Sequence, residues 1–337
     1  MKKIKIIAEV GVNHNGSLKT AKKLIKELSK LDIDFIKFQL ADPYKVYSKD
    51  AFKADYQKNN DKSSTVIEMS KRLQLTRDDH LALNEYCKKF NKIYLCSAFD
   101  IESLKFLVEK IKIPIVKIPS GEIFSVDMLN YISKTNKEVI LSTGMSNLEE
   151  IKKAISLIKK NKKKLITVMH CTSLYPTLNH EVNLNFLDIL KKDLKLNIGY
   201  SDHTLTDEAC IGAIAKGASI IEKHVTLNNN QNGPDHKASY SIKRFTEFVK
   251  KIRAFEVMLG KKNKVISKKE QKIKLMARKS IVSKNRIEKN SVIRKTDLCF
   301  KRPGTGYRPI DIKRVVGKRA KVSINDNSVI LKKFLKS

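Results

Sequence analysis

The sequence predicts an α/β protein, a (β/α)8 barrel (TIM barrel) followed by a small β-rich module. Short apolar runs alternate with amphipathic helical segments, and eight such units fill about 260 residues. After residue 260 the chain changes to a lysine-rich stretch and then to short β-like pieces with turn residues between them. These pieces are Ser280–Val282, Val315–Val316, Lys321–Ser323 and Val329–Leu331. We therefore divide the chain into a barrel at 1–260, a linker at 261–279 and a β-rich domain at 280–337.

The apolar runs are predicted strands because each is short and is followed by polar or turn-forming residues. Their bounds are Ile4–Val10, Phe35–Gln39, Ile93–Ser97, Ile115–Ile118, Glu138–Thr143, Leu165–His170, Leu196–Tyr200 and Ser219–His224. The predicted helices are Ser17–Lys30, Asp78–Phe90, Ile101–Ile111, Ser125–Lys134, Asn147–Lys160, Leu184–Lys192, Asp207–Lys216 and Ser241–Leu259. The connection Leu40–Arg77 is long for such a barrel, and we expect it to carry a lid or subunit contacts.

An open doubly wound sheet is the alternative arrangement of these elements. It would favour a G-x-G-x-x-G loop after the first strand, and the chain has Gly-Val-Asn-His-Asn-Gly there. Polar residues at the ends of the runs favour the barrel, since a barrel gathers all eight strand ends at one mouth. They are Glu9, Lys37, Gln39, Ser97, Lys117, Ser120, Glu122, Ser142, Thr143, His170–Ser173, Tyr175, Ser201, His203, Glu222 and His224.

Composition excludes several classes of protein. The 337 residues carry a formal net charge of +34 and five scattered cysteines, which favours a reducing compartment with free thiols. No apolar run is long enough to span a membrane, and Glu9 interrupts the apolar start, so we expect a cytoplasmic protein without a signal peptide. Lysines at helix-surface spacing dominate the charge, without an arginine and aromatic patch. We therefore expect attraction of anions but no dedicated nucleic-acid binding.

His203 and His224 follow the apolar runs of the last two units. Consecutive parallel strands place their carboxyl ends side by side, so both imidazoles can face one point. Two neutral imidazoles suit a divalent transition metal and leave positions open for substrate. The alternative is that each histidine caps a strand, but the matching places of the pair favour the metal.

Lys37 and Lys117 stand inside apolar runs. Burying an unpaired ammonium costs several kcal/mol, so each lysine needs an acidic partner or an anionic ligand. Internal pairing with Glu9 or Glu122 is the alternative, and the lysines could pair internally until a ligand arrives. Nearby hydroxyl groups and free backbone N–H groups complete a predicted cradle for phosphate or carboxylate. These groups belong to Ser120, Gly121, Ser142, Thr143, Gly144 and Ser201.

Arg302 precedes a Pro-Gly turn in the β-rich domain. It is either a surface charge or a finger that reaches an anionic or hydroxyl-rich ligand, and its chemistry alone favours the surface.

Nine motifs follow one another along the chain. They are IIAEVGVNHNGS at Ile6–Ser17, IKFQ at Ile36–Gln39, KIPSGE at Lys117–Glu122, LSTGM at Leu141–Met145, HCTSLYPT at His170–Thr177, GYSDHT at Gly199–Thr204, IIEKHVTL at Ile220–Leu227, GPDHKAS at Gly233–Ser239 and FKRPGTG at Phe300–Gly306. In this order they resemble the bacterial sialic acid synthases, which include the N-acetylneuraminate and legionaminate synthases. The resemblance implies a barrel followed by an antifreeze-protein-like (SAF) domain in a domain-swapped homodimer.

The resemblance also implies roles for individual residues. His203 and His224 would hold a divalent ion, with Mn²⁺ expected and Mg²⁺ or Co²⁺ as alternatives. Residues that match contacts to phosphoenolpyruvate are Lys37, Ser97, Lys117, Ser120, Ser142 and Ser201. Residues that match those around the sugar and the reacting carbons are Glu9, Glu122, Tyr175 and Asp235, and Gln39 and Ser173 are further expected substrate-binding residues. Arg302 matches an arginine that enters the partner subunit's mouth, so we expect it to be catalytic, together with Glu9 and Glu122.

We therefore expect an N-acetylneuraminate synthase, which condenses phosphoenolpyruvate with N-acetylmannosamine and releases phosphate. A legionaminate synthase, which uses a diacetamido-trideoxy hexose, is the alternative within the family. Another phosphoenolpyruvate–aldose condensing enzyme, a metal-dependent barrel hydrolase and a basic surface-binding protein are the remaining alternatives. The hydrolase is less favoured because its first strand usually carries an H-x-H pair, whereas this strand ends in Glu9.

Overall fold

The computed structural model describes residues 3–161, 165–261 and 263–336. Its chain divides into two compact units, Met1–Gly260 and Lys261–Ser337. In the first unit eight parallel strands close into a barrel, because β1 pairs with both β2 and β8. The strands are β1 (Lys5–Gly11), β2 (Phe35–Leu40), β3 (Ile93–Ala98), β4 (Ile115–Ile118), β5 (Glu138–Ser142), β6 (Ile166–Cys171), β7 (Asn197–Asp202) and β8 (Ile220–Thr226), and a short β9 (Tyr240–Ser241) pairs with β8. The predicted barrel is confirmed.

Helices connect the strands, as their amphipathic pattern predicts. They are α1 (Leu18–Ser29), α2 (Pro43–Val46), α3 (Asp55–Asn60), α4 (Val66–Leu73), α5 (Arg77–Lys89), α6 (Ile101–Phe106), α7 (Val126–Lys134), α8 (Leu148–Lys159), α9 (Phe186–Leu194), α10 (Glu208–Ala215), α11 (Ile242–Leu259) and, in the second unit, α12 (Lys268–Ala277). The side chain of Ser17 accepts a hydrogen bond from Thr20 N–H and so caps α1, as predicted. The predicted helix from Ile101 to Ile111 is α6 continued by a π-helical turn at Leu107–Ile111. Among the described residues, no helix is both long enough and apolar enough to cross a bilayer.

The barrel interior changes from apolar to charged along the strand direction. Alternate residues of a strand face the same side, so a residue and the one two positions later both point inward. The charged residues Lys37, Lys117 and Glu222 each follow an apolar residue of the same strand by two positions. These apolar residues are Phe35 on β2, Ile115 on β4 and Ile220 on β8. The apolar layer beneath them consists of Ile7, Phe35, Leu95, Ile115, Ile140, Met169 and Ile220. A charged layer therefore lies on a water-free floor at the carboxyl ends of the strands.

The long connection between β2 and α5 forms one wall beside the barrel mouth. Its helix α4 carries a small buried cluster of Val66, Met69 and Leu73, against which Tyr47 and Ala51 of the same connection pack. The backbone of Asn60 accepts from Gly233 N–H at 3.2 Å, and its side chain donates to the Pro234 carbonyl at 3.3 Å. The connection is thereby joined to the loop that follows β8.

Gly16 lets α4 approach the first loop of the barrel. Its φ is +73°, and a Cβ atom there would stand 2.4 Å from the carbonyl oxygen of Arg72. Only glycine fits both the left-handed backbone and this close contact.

The second unit has its own small core and an antiparallel pair, β10 (Ser280–Ser283) and β11 (Leu298–Lys301). The predicted strand pieces at the start of the domain and around Val329 are confirmed by β10 and by its bridge to Val329. β11 was not predicted, and Val315–Val316 lies outside the strands. The core consists of Ile281, Ile287, Ile293, Val315, Ala320, Ile324 and Ile330.

The predicted linker 261–279 contains α12, a helix whose ten residues are all exposed. The carbonyl of Leu275 on α12 accepts a hydrogen bond from Gly304 N–H at 2.6 Å. Lys262 of this stretch, and Met1 and Ser337 at the ends of the two predicted domains, lie outside the described residues. The separate linker stays a prediction.

Burial of neutral histidines should make the barrel sensitive to acid. His80 is fully buried, its Nδ1 lies 2.6 Å from the Tyr94 hydroxyl, and burial lowers its pKa to about 4. Since the unfolded chain takes up a proton near pH 6.5 and the folded chain does not, stability present above that pH is lost as pH falls. We expect the loss attributable to His80 to reach about 2 kcal/mol at pH 5.

Urea unfolding of wild type and His80→Gln at pH 7 and pH 5 measures this loss. The glutamine variant, which keeps a partner for Tyr94, should lose about 2 kcal/mol less than wild type between the two pH values. His180→Gln, at an exposed histidine, should behave as wild type. Equal losses in wild type and His80→Gln would contradict the assignment.

Candidate active site

A cavity of about 290 Å³ opens at the carboxyl ends of the barrel strands. Charged and hydroxyl side chains reach it from β1, β2, β3, β4, β5, β7 and β8 or from the loops that follow. Of the residues that the sequence nominated, those that line it are Glu9, Lys37, Gln39, Ser97, Lys117, Ser120, Ser142, Ser173, Tyr175, Ser201, His203 and His224. The structure therefore brings together twelve nominated residues from distant parts of the chain.

Two lysines and two glutamates form a buried charge cluster in this cavity. Lys37 Nζ lies 3.0 Å from Glu9 Oε2 and 3.4 Å from Glu222 Oε1. Lys117 Nζ lies 3.3 Å from Glu222 Oε2. None of the four side chains is more than about a twentieth exposed. The cluster thus balances two ammoniums with two carboxylates.

Glu222 is the residue that the site prediction left out. The sequence named Glu9 or Glu122 as internal partners of the lysines; Glu9 pairs with Lys37, but the partner of Lys117 is Glu222. Its position two residues before His224 on β8 was the available signal, because strand periodicity places both side chains inside the barrel.

The cluster shifts the pKa values of its members in opposite directions. Burial raises the pKa of Glu9 to about 7, against the lowering effect of Lys37. Burial would also raise the pKa of Glu222, but Lys117 and Lys37 lower it to about 2. Lys117 has its pKa lowered by burial, whereas two carboxylates outweigh burial at Lys37 and raise its pKa. Glu222 is therefore the permanent anion, and Glu9 can exchange a proton near neutral pH.

Serine hydroxyls hold the two ammoniums in place. Lys37 Nζ donates to Ser97 Oγ at 3.1 Å, and Lys117 Nζ donates to Ser142 Oγ at 2.7 Å. Ser201 donates its hydroxyl to Glu222 Oε1 at 3.1 Å. The lysines and serines of the predicted cradle lie together, and both ammoniums are paired with carboxylates.

The backbone half of the predicted cradle is only partly present. Thr143 N–H donates to the Met169 carbonyl at 3.1 Å, and Gly144 N–H donates to Ser120 Oγ at 2.9 Å. The expectation that these two groups are free was wrong, because the strand ladder and a serine satisfy them. Gly121 also lines the cavity, and a Cβ atom added there would have no protein atom within 4 Å.

The two histidines face each other across the cavity, with ring centroids 5.4 Å apart. His203 follows the end of β7 as predicted, whereas His224 lies within β8, two residues before its end. The Nδ1 of His203 lies 2.6 Å from the Thr172 carbonyl, which requires a proton on Nδ1 and leaves a lone pair on Nε2. The Nδ1 of His224 is buried without a hydrogen-bond partner. Burial lowers the pKa of both imidazoles, so both are neutral at pH 7.

These features fit a divalent cation held by two nitrogens. One ring is oriented by a carbonyl, as ligand histidines usually are, and the other has an unsatisfied buried nitrogen. Within the part of the chain that the structure describes, no three His, Cys, Asp or Glu side chains are arranged around one point as a metal site. The protein alone would therefore supply His203 and His224 and leave the other positions for substrate or water.

The remaining nominated residues lie outside this cavity. Asp235 lines an adjoining cavity of about 190 Å³, and its Oδ2 is 3.8 Å from His224 Nδ1. Glu122 is half-buried and accepts a hydrogen bond from Ser125 in its own turn. Arg302 is exposed in the second unit. Catalytic roles for Glu122 and Arg302 stay predictions.

The adjoining cavity extends the site toward the long β2–α5 connection. It shares five lining residues with the larger cavity: Gln39, Tyr56, Phe99, Tyr175 and His224. Tyr175 stacks on His203 at 4.1 Å and on Tyr56 at 5.0 Å between ring centroids. Much of its far wall is apolar and contains Val12, Val46, Met69 and Leu73. The two cavities together form a bipartite site, with the paired ammoniums on one side and a wall of mixed apolar and polar side chains on the other.

A barrel with paired ammoniums and two imidazoles in one cavity at its mouth has the arrangement of an enzyme active site. The model of the NeuB family matches residues 24–264, and the model of the SAF domain matches residues 278–336. The chain therefore belongs to the NeuB family, and it is an enzyme of this family's acid synthase class. The predicted family and the barrel followed by a SAF domain are confirmed.

Relatives match the chain over nearly its whole length. The N,N'-diacetyllegionaminic acid synthase of Campylobacter jejuni is 41% identical over 98% of this chain and 99% of its own. The enzyme of the same name from Legionella pneumophila is 37% identical over 97% of this chain and 93% of its own. The N-acetylneuraminic acid (sialic acid) synthetase structure from Leptospira borgpetersenii, a complex with citrate, aligns with a TM-score of 0.73 and 30% identity, covering 81% of this chain and 90% of that one.

Gly144 offers a test of the cradle that does not remove a charge. A Cβ atom there would stand 2.2 Å from Ser173 Oγ and 3.0 Å from both Cys171 Sγ and Ser120 Oγ. Gly144→Ala should therefore displace the serines and weaken the binding of phosphate or phosphoenolpyruvate by about 1–3 kcal/mol. Calorimetric titration of wild type and Gly144→Ala, both verified as folded, measures this difference. Unchanged affinity in a folded Gly144→Ala protein would show that these serines do not contact the anion.

Proposed function

We propose that the protein condenses phosphoenolpyruvate with a diacetamido-trideoxy hexose and releases phosphate, as a legionaminate synthase. The observation that carries the proposal is the pair of buried ammoniums, Lys37 and Lys117, beside two neutral, open imidazoles in one cavity. Phosphoenolpyruvate carries a phosphate and a carboxylate at a short separation. Two ammoniums held by serines suit such a dianionic ligand.

Our proposal differs from the expectation based on the sequence in the identity of the acceptor sugar. The sequence favoured N-acetylmannosamine, with the diacetamido-trideoxy sugar as the alternative. Two relatives at 41% and 37% identity are named as diacetyllegionaminic acid synthases, whereas the N-acetylneuraminic acid synthetase is 30% identical. These comparisons support the alternative acceptor.

The apolar wall of the smaller cavity supports the same choice. Met69 and Leu73 are only 3% and 2% exposed, and Val46 and Phe99 also line this cavity. A hydroxyl pressed against such a wall loses its water without gaining a partner, whereas a methyl group gains by burial. A deoxy sugar with two acetamido groups presents methyl groups where a hydroxymethyl sugar presents a hydroxyl. Gln74 also lines the cavity and is oriented by Ala41 N–H, which donates to its Oε1 at 3.0 Å.

The chain's own residues perform separate tasks in this reaction. Lys37 and Lys117 bind the phosphate and carboxylate and exchange their contacts with Glu222 for contacts with the substrate. The methylene carbon of phosphoenolpyruvate then forms a bond to the sugar's aldehyde carbon, and water adds at the enol carbon before the carbon–oxygen bond to phosphate breaks. Glu9, with its pKa near 7 and its Oε1 accepting from Gln39 at 2.9 Å, is suited to hold a proton beside that carbon.

A divalent cation, with Mn²⁺ expected, would be held by His203 and His224. When bound, it would supply Lewis-acid polarisation of the aldehyde oxygen. Tyr175 packs against both imidazoles and thereby limits their rotation.

We also propose a homodimer in which Arg302 serves the partner subunit. The support is the resemblance of the Phe300–Gly306 motif, the SAF match over 278–336 and the exposure of Arg302. An exposed arginine is free to reach a ligand outside its own unit.

The proposed reaction predicts that phosphate release requires both substrates. Enzyme supplied with Mn²⁺, phosphoenolpyruvate and 2,4-diacetamido-2,4,6-trideoxymannose should release phosphate and form a product whose mass is that of the sugar plus pyruvate. Phosphoenolpyruvate alone should give none, and N-acetylmannosamine should be the poorer acceptor. Phosphate release without any sugar, or none with either sugar, would contradict the proposal.

Loss of one imidazole should separate catalysis from anion binding. His224→Ala should abolish condensation, while phosphoenolpyruvate still binds at the lysines with an affinity close to that of wild type. Turnover assays and calorimetry on the same preparation measure the two effects. Normal turnover of His224→Ala in the presence of a chelator would contradict the metal assignment.

The apolar wall should determine the preference between acceptors. Met69→Gln places an amide in the wall of the smaller cavity and should shift the ratio of kcat/KM for the two sugars toward N-acetylmannosamine by about tenfold. Met258→Gln, at a methionine that is 77% exposed, is the matched control and should leave the ratio unchanged. A ratio that stays constant in Met69→Gln would place the distinguishing substituents elsewhere.

Mixed dimers test whether Arg302 acts on the partner. Arg302→Ala and His224→Ala subunits should each be nearly inactive alone. Equal mixing with subunit exchange should restore about a quarter of wild-type activity, because half of the dimers then contain one intact site. Absence of restored activity in verified heterodimers would show that the arginine acts within its own chain.

A further inference from the structure

A second charged pair, Lys223 with Asp202, is buried on the opposite side of the barrel wall. Strand alternation sends Glu222 and His224 into the cavity and turns Lys223 outward, toward the layer between the sheet and the helices. That layer is apolar over most of the barrel, yet Lys223 and Asp202 are each only 1% exposed. The two residues are direct neighbours in the register of β7 and β8.

All three donors of the Lys223 ammonium have acceptors in the loop that follows β7. Its Nζ donates to Asp202 Oδ2 at 2.5 Å, to the Thr204 carbonyl at 2.6 Å and to the Thr206 carbonyl at 3.2 Å. It also lies 4.3 Å from the ring centroid of Tyr240. One ammonium therefore holds the backbone of 204–206 against β8.

Asp202 anchors the same loop from its other end. Its Oδ1 accepts from the Tyr200 hydroxyl at 3.1 Å and from Thr204 N–H at 3.0 Å, and its Oδ2 accepts from Cys210 Sγ at 3.5 Å. His203 lies between the two anchored residues, Asp202 and Thr204. The position of His203 is thus constrained on one side by the Lys223–Asp202 ion pair and on the other by the Thr172 carbonyl.

The ion pair and the histidine pair occupy successive positions on the same two strands. Asp202 precedes His203, and Lys223 precedes His224. A buried ion pair is seldom more stabilising than apolar side chains of similar volume, so stability alone is a weak reason for one here. A fixed geometry for the two residues that follow it is a stronger reason.

We infer that Lys223 and Asp202 are positioning residues that set the separation and orientation of the His203 and His224 imidazoles. The inference rests on the proposed metal site. The two residues act through the loop 204–206 and touch neither substrate nor metal. Groups that orient metal ligands in this way contribute about 10- to 100-fold to metal affinity.

The test removes both charges together, so that neither is left buried alone. In Lys223→Met/Asp202→Asn, methionine keeps the length of the lysine stem and asparagine keeps an oxygen for Thr204 N–H. Mn²⁺ affinity of the metal-free protein, measured by electron paramagnetic resonance of free Mn²⁺, should fall about 10- to 100-fold at an unchanged thermal midpoint. Phosphoenolpyruvate affinity, which depends on Lys37 and Lys117, should stay at the wild-type value.

Two comparisons make the result decisive. Lys216→Met/Asp188→Asn removes an ion pair of the same 2.5 Å length at the barrel surface and should leave Mn²⁺ affinity unchanged. A Lys223→Met/Asp202→Asn protein with wild-type Mn²⁺ affinity would overturn the inference, whether or not its thermal midpoint falls. If wild type itself binds no Mn²⁺, the proposed metal site fails, and the ¹⁵N ring shifts of His203 and His224 decide the positioning role. Shifts that move in the double variant support it, and identical shifts overturn it.

Discussion

The site depends on one carboxylate, Glu222, that balances two buried ammoniums. Lys37 and Lys117 are almost fully buried, and Glu222 is the carboxylate that they share, 3.3–3.4 Å from both, whereas Glu9 pairs with Lys37. In the proposed function the same arrangement serves an anion site, because an incoming anion takes over the contacts that Glu222 supplies. The charge that balances the ammoniums is then the charge that the substrate replaces.

The periodicity of the apolar residues and the polar residues at the strand ends were sufficient to predict most of the fold. All eight barrel strands lie within a few residues of their predicted bounds, because each apolar run must be buried on both sides in a parallel barrel. The three helices of the connection between Leu40 and Arg77 were not predicted. They are short and depend on tertiary contacts, such as that between Gly16 and Arg72, that no local pattern reveals. β11 was missed for the same reason, since its pairing with β10 spans a long loop.

The sequence identified residues that line the cavity, but not the partners of their side chains. Twelve of the residues that were given roles from the sequence line it, but residue type alone assigned Glu122 to the lysines where the barrel supplies Glu222. The N–H groups of Thr143 and Gly144 were expected to be free, because the ladder and the Ser120 hydroxyl that satisfy them are long-range contacts. Lys223 shows the same limit: alternation with Glu222 and His224 turns it away from the cavity, but its partner Asp202 lies on the neighbouring strand and is identified only by the strand register.

The affinity of Glu222→Gln for phosphoenolpyruvate tests the central claim most directly. Calorimetric titration of wild type and Glu222→Gln, both verified as folded and free of metal, compares a site with and without the internal anion. If the substrate replaces Glu222 at Lys37 and Lys117, the neutral variant should bind phosphoenolpyruvate several-fold more tightly than wild type. Weaker binding by Glu222→Gln would contradict the account, because it would mean that the carboxylate helps to hold the ligand instead of yielding its place.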